Sequence, residues 1–308
     1  MNQIVLLTGF LGAGKTTFLN HILEEYADTR VGLIVNEFSQ TGVDGALIRQ
    51  DVPGVSMKEL NNGSIFCACI KDSFVDSLID MGRRGLDYVF VEASGLADPS
   101  SIVSILDQIR TLSHVEYTYQ GAICLIDALN FTKHVKVLVS LRRQVAYSRA
   151  VILNKTDMVD AAGLQDARDT ILSIHPGVPI YPTTYANVSL REILAHDAAQ
   201  TPQPEESSNT PDSRPTTYTL STREAIPPAD LYRFLDRVSP FTYRLKGFCR
   251  TTDGTKFVSM VGTSREIEAW PVTVDETQLV LISSVGIRII SEALAAAKEC
   301  FRGPVDLK

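Results

Sequence analysis

The stretch GFLGAGKT at residues 9–16 constrains the fold of this 308-residue chain more than any other feature. It fits the pattern G-x-x-x-x-G-K-[ST] in full, and the apolar run Ile4–Thr8 precedes it while a helical pattern at Thr16–Tyr26 follows. Glycines at such a turn let backbone N–H groups curl around an anion, and the helix amino terminus adds favourable partial charge. A plain glycine-rich turn is the alternative, but pattern and context together favour a phosphate-binding loop.

Each residue type in this loop has a chemical task. Lys15 is expected to reach the β- and γ-phosphates of a nucleotide, and the Thr16 hydroxyl is expected to ligate Mg²⁺. The predicted nucleotide contacts of the loop are made by Gly9, Gly12, Ala13, Gly14, Lys15, Thr16 and Thr17.

Short apolar runs alternate with helical patterns over the first two thirds of the chain. The runs are rich in Val, Ile and Leu, which is typical of strands buried on both faces of a parallel sheet. The predicted strands are Ile4–Thr8, Val31–Asn36, Tyr88–Glu92, Ala122–Asp127 and Ala150–Asn154, and the predicted helices are Thr16–Tyr26, Phe74–Arg84, Ser101–Thr111, Lys133–Tyr147 and Ala161–Ile174. This order predicts a doubly wound, mostly parallel α/β domain over residues 1–200, with functional groups at the carboxyl ends of its strands.

The composition changes near residue 201. Residues 201–217 contain four prolines and no apolar residue, so they are predicted to be a linker or loop. Residues 218–308 are predicted to form a small α+β domain. Its expected helices are Ala229–Val238 and Ile287–Phe301, and its expected strands are Thr242–Arg250, Lys256–Gly262 and Leu279–Ser283.

A second motif selects the base of the nucleotide. The predicted strand Ala150–Asn154 runs directly into N-K-x-D, formed by Asn154, Lys155 and Asp157. A buried Asp157 carboxylate could accept hydrogen bonds from guanine N1–H and its amino group, whereas adenine has no matching donors. Asn154 is expected to brace the loop, and the aliphatic stem of Lys155 to cover the base. The motif therefore favours GTP over ATP.

Two further segments are placed to act on the terminal phosphate. Glu92 ends a predicted strand in YVFVEASGLADP, where it could organise magnesium or water, and Gly95 could donate its N–H to the γ-phosphate. Asp98 is expected to cap the helix that begins near Pro99. The segment VNEFSQTGVDGALI, with Glu37 after a strand, is interpreted as a switch ordered by the γ-phosphate and Mg²⁺; an ordinary surface loop is the alternative.

Taken in order, GFLGAGKTT, NEFSQTGVDGALI, ELNNGSIFCACI, VEASGLADP and NKTD resemble the CobW-type branch of the P-loop metallochaperone GTPases. The resemblance implies a GTP-hydrolysing metallochaperone or cofactor-insertion factor with low intrinsic activity and a client metalloenzyme. It also implies that Glu92 replaces the aspartate usual in other P-loop GTPases. FTYRLKGFCR resembles, more weakly, the start of that branch's carboxyl-terminal domain.

The cysteine motif of the branch is only partly present. Members usually carry C-x-C-C directly after the glycine that corresponds to Gly63, whereas here Ser64 and Phe66 occupy two of the three cysteine positions. Cys67 fills the third, and Cys69 is an extra thiol. Two thiolates do not complete a tetrahedral zinc site. Zn, Co or Ni at this pair could recruit Glu37 or Asp72, or share ligands with a second subunit of a homodimer, and the pair could also bind a soft ion at low coordination. Structural burial of both thiols is the alternative. Cys124, Cys249 and Cys300 are expected in the core.

Composition narrows the partners and the compartment. The net charge of −7 argues against a nucleic acid or an anionic membrane as partner, and no apolar run approaches the roughly 18 residues of a membrane helix. The amino terminus has the character of a first strand and not of a signal peptide. Five cysteines indicate a reducing cytoplasm.

The sequence leads to one main functional hypothesis and one alternative. The main hypothesis is a Mg²⁺-dependent GTPase whose switch state is coupled to delivery of a metal or metallocofactor to a client protein. The alternative is a GTP-gated regulatory module without metal cargo. Arg142 and Arg143 are expected on a solvated helix face, and no glutamine is recognisable as the group that orients water. Slow hydrolysis is therefore expected until a partner or second subunit completes the site.

Overall fold

The computed structural model describes residues 2–36, 55–60, 71–196 and 215–308. The chain divides into two compact units, Met1–Ser213 and Arg214–Lys308, each with its own sheet. Most of the predicted 201–217 linker lies outside the described residues. Across the described residues, every helix is too short or too polar to cross a membrane.

The first unit is built on parallel strands. In the described part of the chain its strands are β1 (Asn2–Gly9), β2 (Val31–Asn36), β3 (Val55–Leu60), β4 (Tyr88–Glu92), β5 (Tyr117–Asp127), β6 (Ser148–Asn154) and β7 (Ile180–Pro182). They pair in the order β3-β2-β4-β1-β5-β6-β7, and every pair is parallel. The helices are α1 (Lys15–Glu25), α2 (Lys71–Gly82), α3 (Ile102–Ser113), α4 (Phe131–His134), α5 (Val139–Ala146), α6 (Ala161–Ile174) and α7 (Leu190–Ala195).

Strand β1 shows why helices cover both faces of this sheet. Its side chains alternate between two cores, with Val5 and Leu7 on one side and Ile4 and Leu6 on the other. The first core is closed by α1 and α7, and the second by α2 and α3. The doubly wound α/β fold predicted from the alternating pattern is confirmed.

The sequence missed strands that lack a continuous apolar run. Strand β3 lies at the edge of the sheet and most of its residues are only partly buried, while β7 has three residues. The strand predictions Val31–Asn36 and Tyr88–Glu92 are confirmed residue for residue, and the other three strands extend beyond their predicted ranges. An edge strand with mixed polarity gives no apolar signal, because only part of its surface is covered.

The predicted helix Lys133–Tyr147 is wrong as a single element. The structure has the short α4 and then α5, with Leu138 in an extended conformation between them. Val135, Val137 and Val139 surround this break. Branching at the β-carbon restricts side-chain rotamers in a helix, so alternating valines favour an interruption at this point.

The second unit is an antiparallel sheet with two helices. Its described strands are β8 (Thr217–Thr222), β9 (Thr242–Thr251), β10 (Gly254–Val261), β11 (Ser264–Ala269), β12 (Thr277–Ser283) and β13 (Asp306–Leu307), paired in the order β11-β10-β9-β12-β8-β13. Helices α8 (Pro228–Val238) and α9 (Ile289–Cys300) share one buried cluster with the sheet. Phe234 of α8 packs against Phe301, with ring centroids 4.7 Å apart. The predicted small α+β character is confirmed.

Candidate functional site

Polar or conformationally special residues end five neighbouring strands of the first unit. Gly9, Asn36, Glu92, Asp127 and Asn154 are the last residues of β1, β2, β4, β5 and β6. Because these strands are parallel, their carboxyl ends lie along one edge of the sheet, where ligands bind in open α/β folds. The candidate site is therefore this edge, and the two loops that follow β1 and β4 form its centre.

The loop after β1 has the backbone that a phosphate cradle requires. Gly14 has a φ of 104° and precedes the first residue of α1, while Gly9 and Gly12 also have positive φ angles. A β-carbon at Gly14 would lie 2.5 Å from Asn154 Nδ2, so a larger residue would disturb both segments. Lys15 is buried, and its Nζ donates to the carbonyls of Gly9 at 2.9 Å and Phe10 at 3.2 Å.

Thr16 meets the end of β4 next to this loop. Its hydroxyl donates to Glu92 Oε1 at 3.1 Å, and Glu92 is only 5% exposed. A hydroxyl and a carboxylate oxygen are hard donors of the kind that Mg²⁺ selects, and they converge at the amino terminus of α1. The donor set therefore fits the predicted Mg²⁺ site. Thr17 follows on the first turn of α1 and is exposed.

The Ser94–Asp98 segment, which contains Gly95, lies directly against the phosphate loop. It turns sharply, with the Ala97 N–H bonded to the Ser94 carbonyl at 2.9 Å. A β-carbon at Gly95 would lie 2.7 Å from the backbone nitrogen of Leu11, so glycine is the residue that permits this approach. The Ser94 hydroxyl is buried and has no hydrogen-bond partner among the described residues, a feature that no sequence motif indicated.

Asn154 ties the base-side loop to the phosphate loop. Its Nδ2 donates to the Ala13 carbonyl at 2.9 Å, and its Oδ1 accepts from the Ala186 N–H at 2.9 Å. The side chain is 2% exposed, so both groups are satisfied away from solvent. This geometry agrees with the bracing role expected of Asn154, and it adds a second anchor at residue 186 that the sequence did not reveal.

Lys155 and Asp157 differ in how firmly they are held. Lys155 has a φ of 60°, and its Nζ contacts Asp127 Oδ2 at 3.1 Å. Asp127 is 7% exposed and also accepts from the Leu129 N–H at 2.9 Å. Asp157 lies in the short turn Thr156–Met158 and is exposed, whereas the sequence argument assumed a buried carboxylate. The Asp157 carboxylate would become buried only when a bound nucleotide base covers it.

A loop after β7 completes the base side, and sequence reasoning missed it. Tyr185 and Ala186 have φ values of 53° and 52°, which are uncommon for residues with side chains. Thr156 Oγ1 donates to the Thr183 carbonyl at 3.1 Å, so this loop is bonded directly to the N-K-x-D turn. In the sequence, this loop is distinguished only by its position near the predicted end of the domain. It contains no motif that would indicate a role at the site.

Helix α5 corrects a prediction about its arginines. Arg142 is exposed as expected, but Arg143 is only 21% exposed and its Nε lies 2.8 Å from Oδ2 of the fully buried Asp98. Asp98 also accepts from the Ser100 N–H at 3.0 Å, which confirms the predicted helix cap. The solvated position expected for Arg143 is wrong because the buried carboxylate after β4 requires a cation.

The remaining predicted site residues lie outside the described residues: Glu37, Cys67 and Cys69. The other three cysteines are buried, and burial raises the pKa of the Cys124 thiol to about 12. In the described ranges, no three His, Cys, Asp or Glu side chains are grouped so that they could hold a metal ion.

Similarity to known proteins agrees with this arrangement. Residues 3–182 match the family model described as CobW/HypB/UreG, nucleotide-binding domain, and residues 216–298 match the cobalamin synthesis protein cobW C-terminal domain. The chain is 33% identical over 192 residues to the zinc chaperone YjiA of Escherichia coli, covering 61% of this chain and 59% of that protein. It is 31% identical over 206 residues to the zinc-regulated GTPase metalloprotein activator 1 of Schizosaccharomyces pombe, covering 63% and 49%. The matched region thus spans about half to three fifths of these relatives.

Two solved structures match this chain at lower similarity. The Zn(II)-bound YjiA GTPase from E. coli matches with a TM-score of 0.47 and 20% identity, covering 98% of this chain and 100% of that one. HypB from Helicobacter pylori in complex with nickel matches with a TM-score of 0.42 and 21% identity, covering 62% and 81%. The family model alone covers more than half of the chain and includes the whole edge formed by β1, β4 and β6. The chain therefore belongs to the CobW/HypB/UreG family of nucleotide-binding proteins.

Proposed function

We propose that this protein is a Mg²⁺-dependent GTPase whose nucleotide state controls delivery of a metal ion or metallocofactor to a client protein. The observation that carries the first half of this proposal is the shared edge of the sheet. There, Thr16 and Glu92 meet at 3.1 Å, and Asn154 bonds the phosphate loop to the base-side turn. Phosphate-binding and base-reading groups are thereby joined in one site.

The phosphate side is suited to hydrolysis of the γ-phosphate. A water oxygen would bond to the γ-phosphorus while the bond to the β–γ bridging oxygen breaks, giving GDP and inorganic phosphate. Lys15 would neutralise charge on the β- and γ-phosphates, and the Gly95 N–H would hold the terminal phosphate. Thr16 and Glu92 would hold Mg²⁺, which when bound supplies further neutralisation of the phosphate charge.

The base side favours guanine through Asp157. Its exposed carboxylate can accept from guanine N1–H and the amino group, while Lys155 is fixed beside it by Asp127. Adenine would leave this carboxylate without donors. Slow intrinsic turnover, raised by a partner or a second subunit, stays an expectation from the sequence.

Metal delivery is supported by the family and by sequence. Two curated relatives are named zinc chaperone and zinc-regulated GTPase metalloprotein activator. In this chain the cargo, Zn, Co or Ni, would bind at Cys67 and Cys69, with further ligands from a carboxylate or from a second subunit of a homodimer. The client would be a metalloprotein or a cofactor-dependent enzyme, and the cytoplasmic location stays a prediction.

Metal titration in four states tests the coupling. Zn²⁺ affinity is measured for wild type and for the Cys67→Ser/Cys69→Ser double variant, each with GDP and with a non-hydrolysable GTP analogue. We expect the double variant to lose the tighter site, and the wild-type affinity to differ between the two nucleotides. The Lys15→Ala variant is the control, since its metal affinity should no longer respond to nucleotide. Equal affinities in all states, with GTP still bound, would favour the GTP-gated module without cargo.

A further inference from the structure

Helix α5 contacts the segment that is expected to sense the γ-phosphate, although its sequence carries no nucleotide motif. Gln144 of α5 is completely buried, and its Nε2 donates to the carbonyls of Ala97 at 2.8 Å and Gly95 at 3.3 Å. Both neighbouring groups are acceptors, so the amide must present its nitrogen to them. One side chain therefore holds two carbonyls of the Ser94–Asp98 turn.

The adjacent residue of α5 holds the other end of this turn. Arg143 pairs with Asp98 at 2.8 Å, and its Nη2 donates to the Ser100 hydroxyl at 3.0 Å. Asp98 is fully buried, so its charge depends on this pair and on its bond from the Ser100 N–H. Two consecutive residues of one helix thus fix both the glycine and the acidic end of the segment after β4.

Helix α5 is itself anchored away from the nucleotide edge. The carbonyl of Val145 is bonded to His175 Nδ1 at 3.2 Å and to the Ser148 hydroxyl at 2.8 Å, and both partners are buried. The helix is consequently a firm support against which the Ser94–Asp98 turn is held. The Gln144 Oε1 atom is buried and has no hydrogen-bond partner in the described part of the chain, so the nitrogen end of the amide makes both of the contacts to the turn.

We propose that Gln144 and Arg143 are positioning residues that set the Gly95 N–H for the γ-phosphate, and that they thereby determine discrimination between GTP and GDP. The inference rests on the proposed GTPase function. Gln144 acts by fixing the Gly95–Leu96 and Ala97–Asp98 peptide groups, while Arg143 fixes the Asp98 side chain. Neither side chain needs to touch the nucleotide. Displacement of a positioned group by about 1 Å is enough to reduce turnover substantially.

The test uses the full chain and compares three variants. Gln144→Met keeps the length of the side chain and removes the donor. Arg143→Lys keeps the charge near Asp98 and removes the planar fork that also reaches Ser100. Arg142→Ala, at the neighbouring exposed position, is the matched control. For each protein, affinities for GDP and for a non-hydrolysable GTP analogue are measured together with kcat and KM for GTP, and thermal unfolding without nucleotide checks the fold.

We expect Gln144→Met to lower kcat and the affinity for the GTP analogue by about ten- to hundredfold while GDP affinity changes less than about twofold. Arg143→Lys should lower kcat and the affinity for the GTP analogue in the same selective way, but by a smaller factor. This second variant keeps the inference testable if Gln144→Met unfolds. Equal losses for both nucleotides, or no loss in either variant, would overturn the positioning role while leaving the GTPase proposal intact. A wild-type chain that does not bind GTP would overturn both.

Discussion

The phosphate side and the base side of the candidate site are built differently. On the phosphate side, Lys15 and Glu92 are buried and each is held by hydrogen bonds within the protein. On the base side, Asn154 is buried, but Asp157 is exposed on a short turn. The two sides are joined by the side chain of Asn154.

This difference in burial indicates how much each side should contribute to nucleotide binding and to turnover. Preorganised donors in a buried site act strongly on developing charge, because they need no reorganisation during the reaction. An exposed carboxylate must lose water when a base binds, and its net contribution is smaller. The phosphate side should therefore dominate turnover, and the base side should mainly decide which nucleotide is bound.

Removing the phosphate-side cation should have the largest effect. We expect Lys15→Ala to lower GTP turnover by about a hundred- to thousandfold, because a buried, positioned cation next to the phosphates is lost. Release of inorganic phosphate under saturating GTP measures this. Lys136→Ala, at an exposed position between α4 and α5, should leave turnover unchanged. Full activity of Lys15→Ala would show that the loop does not act as a phosphate site.

Removing the base-side carboxylate should change selectivity more than turnover. We expect Asp157→Ala to weaken GTP binding by about ten- to hundredfold and to leave ATP binding unchanged, since one charged acceptor of the guanine donors is lost. Competition with fluorescent GTP and ATP analogues provides the measurement. Asp166→Ala, exposed on α6, is the control. Tighter binding of ATP than GTP by the wild type would refute the guanine assignment.

Removing the Asn154 side chain, which joins the phosphate side to the base side, should affect both sides of the site together. Asn154→Ala would leave the Ala13 carbonyl and the Ala186 N–H without their partner, so we expect a loss of about 1–3 kcal/mol in the free energy of unfolding. Affinities for GTP and GDP should fall by the same factor. Chemical denaturation and nucleotide titration measure the two effects, with Asn187→Ala at an exposed position as control. A loss confined to one nucleotide would contradict the shared role.

The smallest expected effect concerns the strand beside the phosphate loop. Cys124 pairs in register with Thr8 of β1, and burial raises the pKa of its thiol from 9.0 to about 12. The unfolded chain loses this proton near pH 9 while the folded chain keeps it. The contribution of this thiol to stability is therefore complete below pH 9 and is lost as the pH rises towards 12.

Alkylation with iodoacetamide at pH 8, followed by mass spectrometry of the Cys124 peptide, checks this expectation. Labelling should be slow in the folded protein and fast in denaturant, because only the thiolate is nucleophilic. In the Cys124→Ala variant, the fall in stability above pH 9 should be smaller than in the wild type. Rapid labelling of the folded protein would show that this part of the sheet opens readily.

The sequence predicted those features that are written within one short segment. The glycine-rich loop, the strand ending at Glu92 and the Asp98 cap each depend on neighbours in the chain, and the structure contains all three. The N-K-x-D motif indicated that Asn154 braces a loop, but not that it bonds to Ala13. The contact from Arg143 to Asp98 joins residues far apart in the chain, so no local pattern could reveal it. Periodicity also could not show that Gln144 faces a polar loop and not an apolar core.

The close approach of Gly95 to Leu11 has a consequence for mutagenesis. The usual way to examine a backbone N–H at such a glycine is to replace the glycine with alanine. Here the added methyl group would lie 2.7 Å from the Leu11 nitrogen and would push on the phosphate loop itself. A Gly95→Ala variant would therefore lose activity even if its N–H had no catalytic task. Substitutions on α5 add no atom between these two loops, so they report on the position of the Gly95 N–H without that clash.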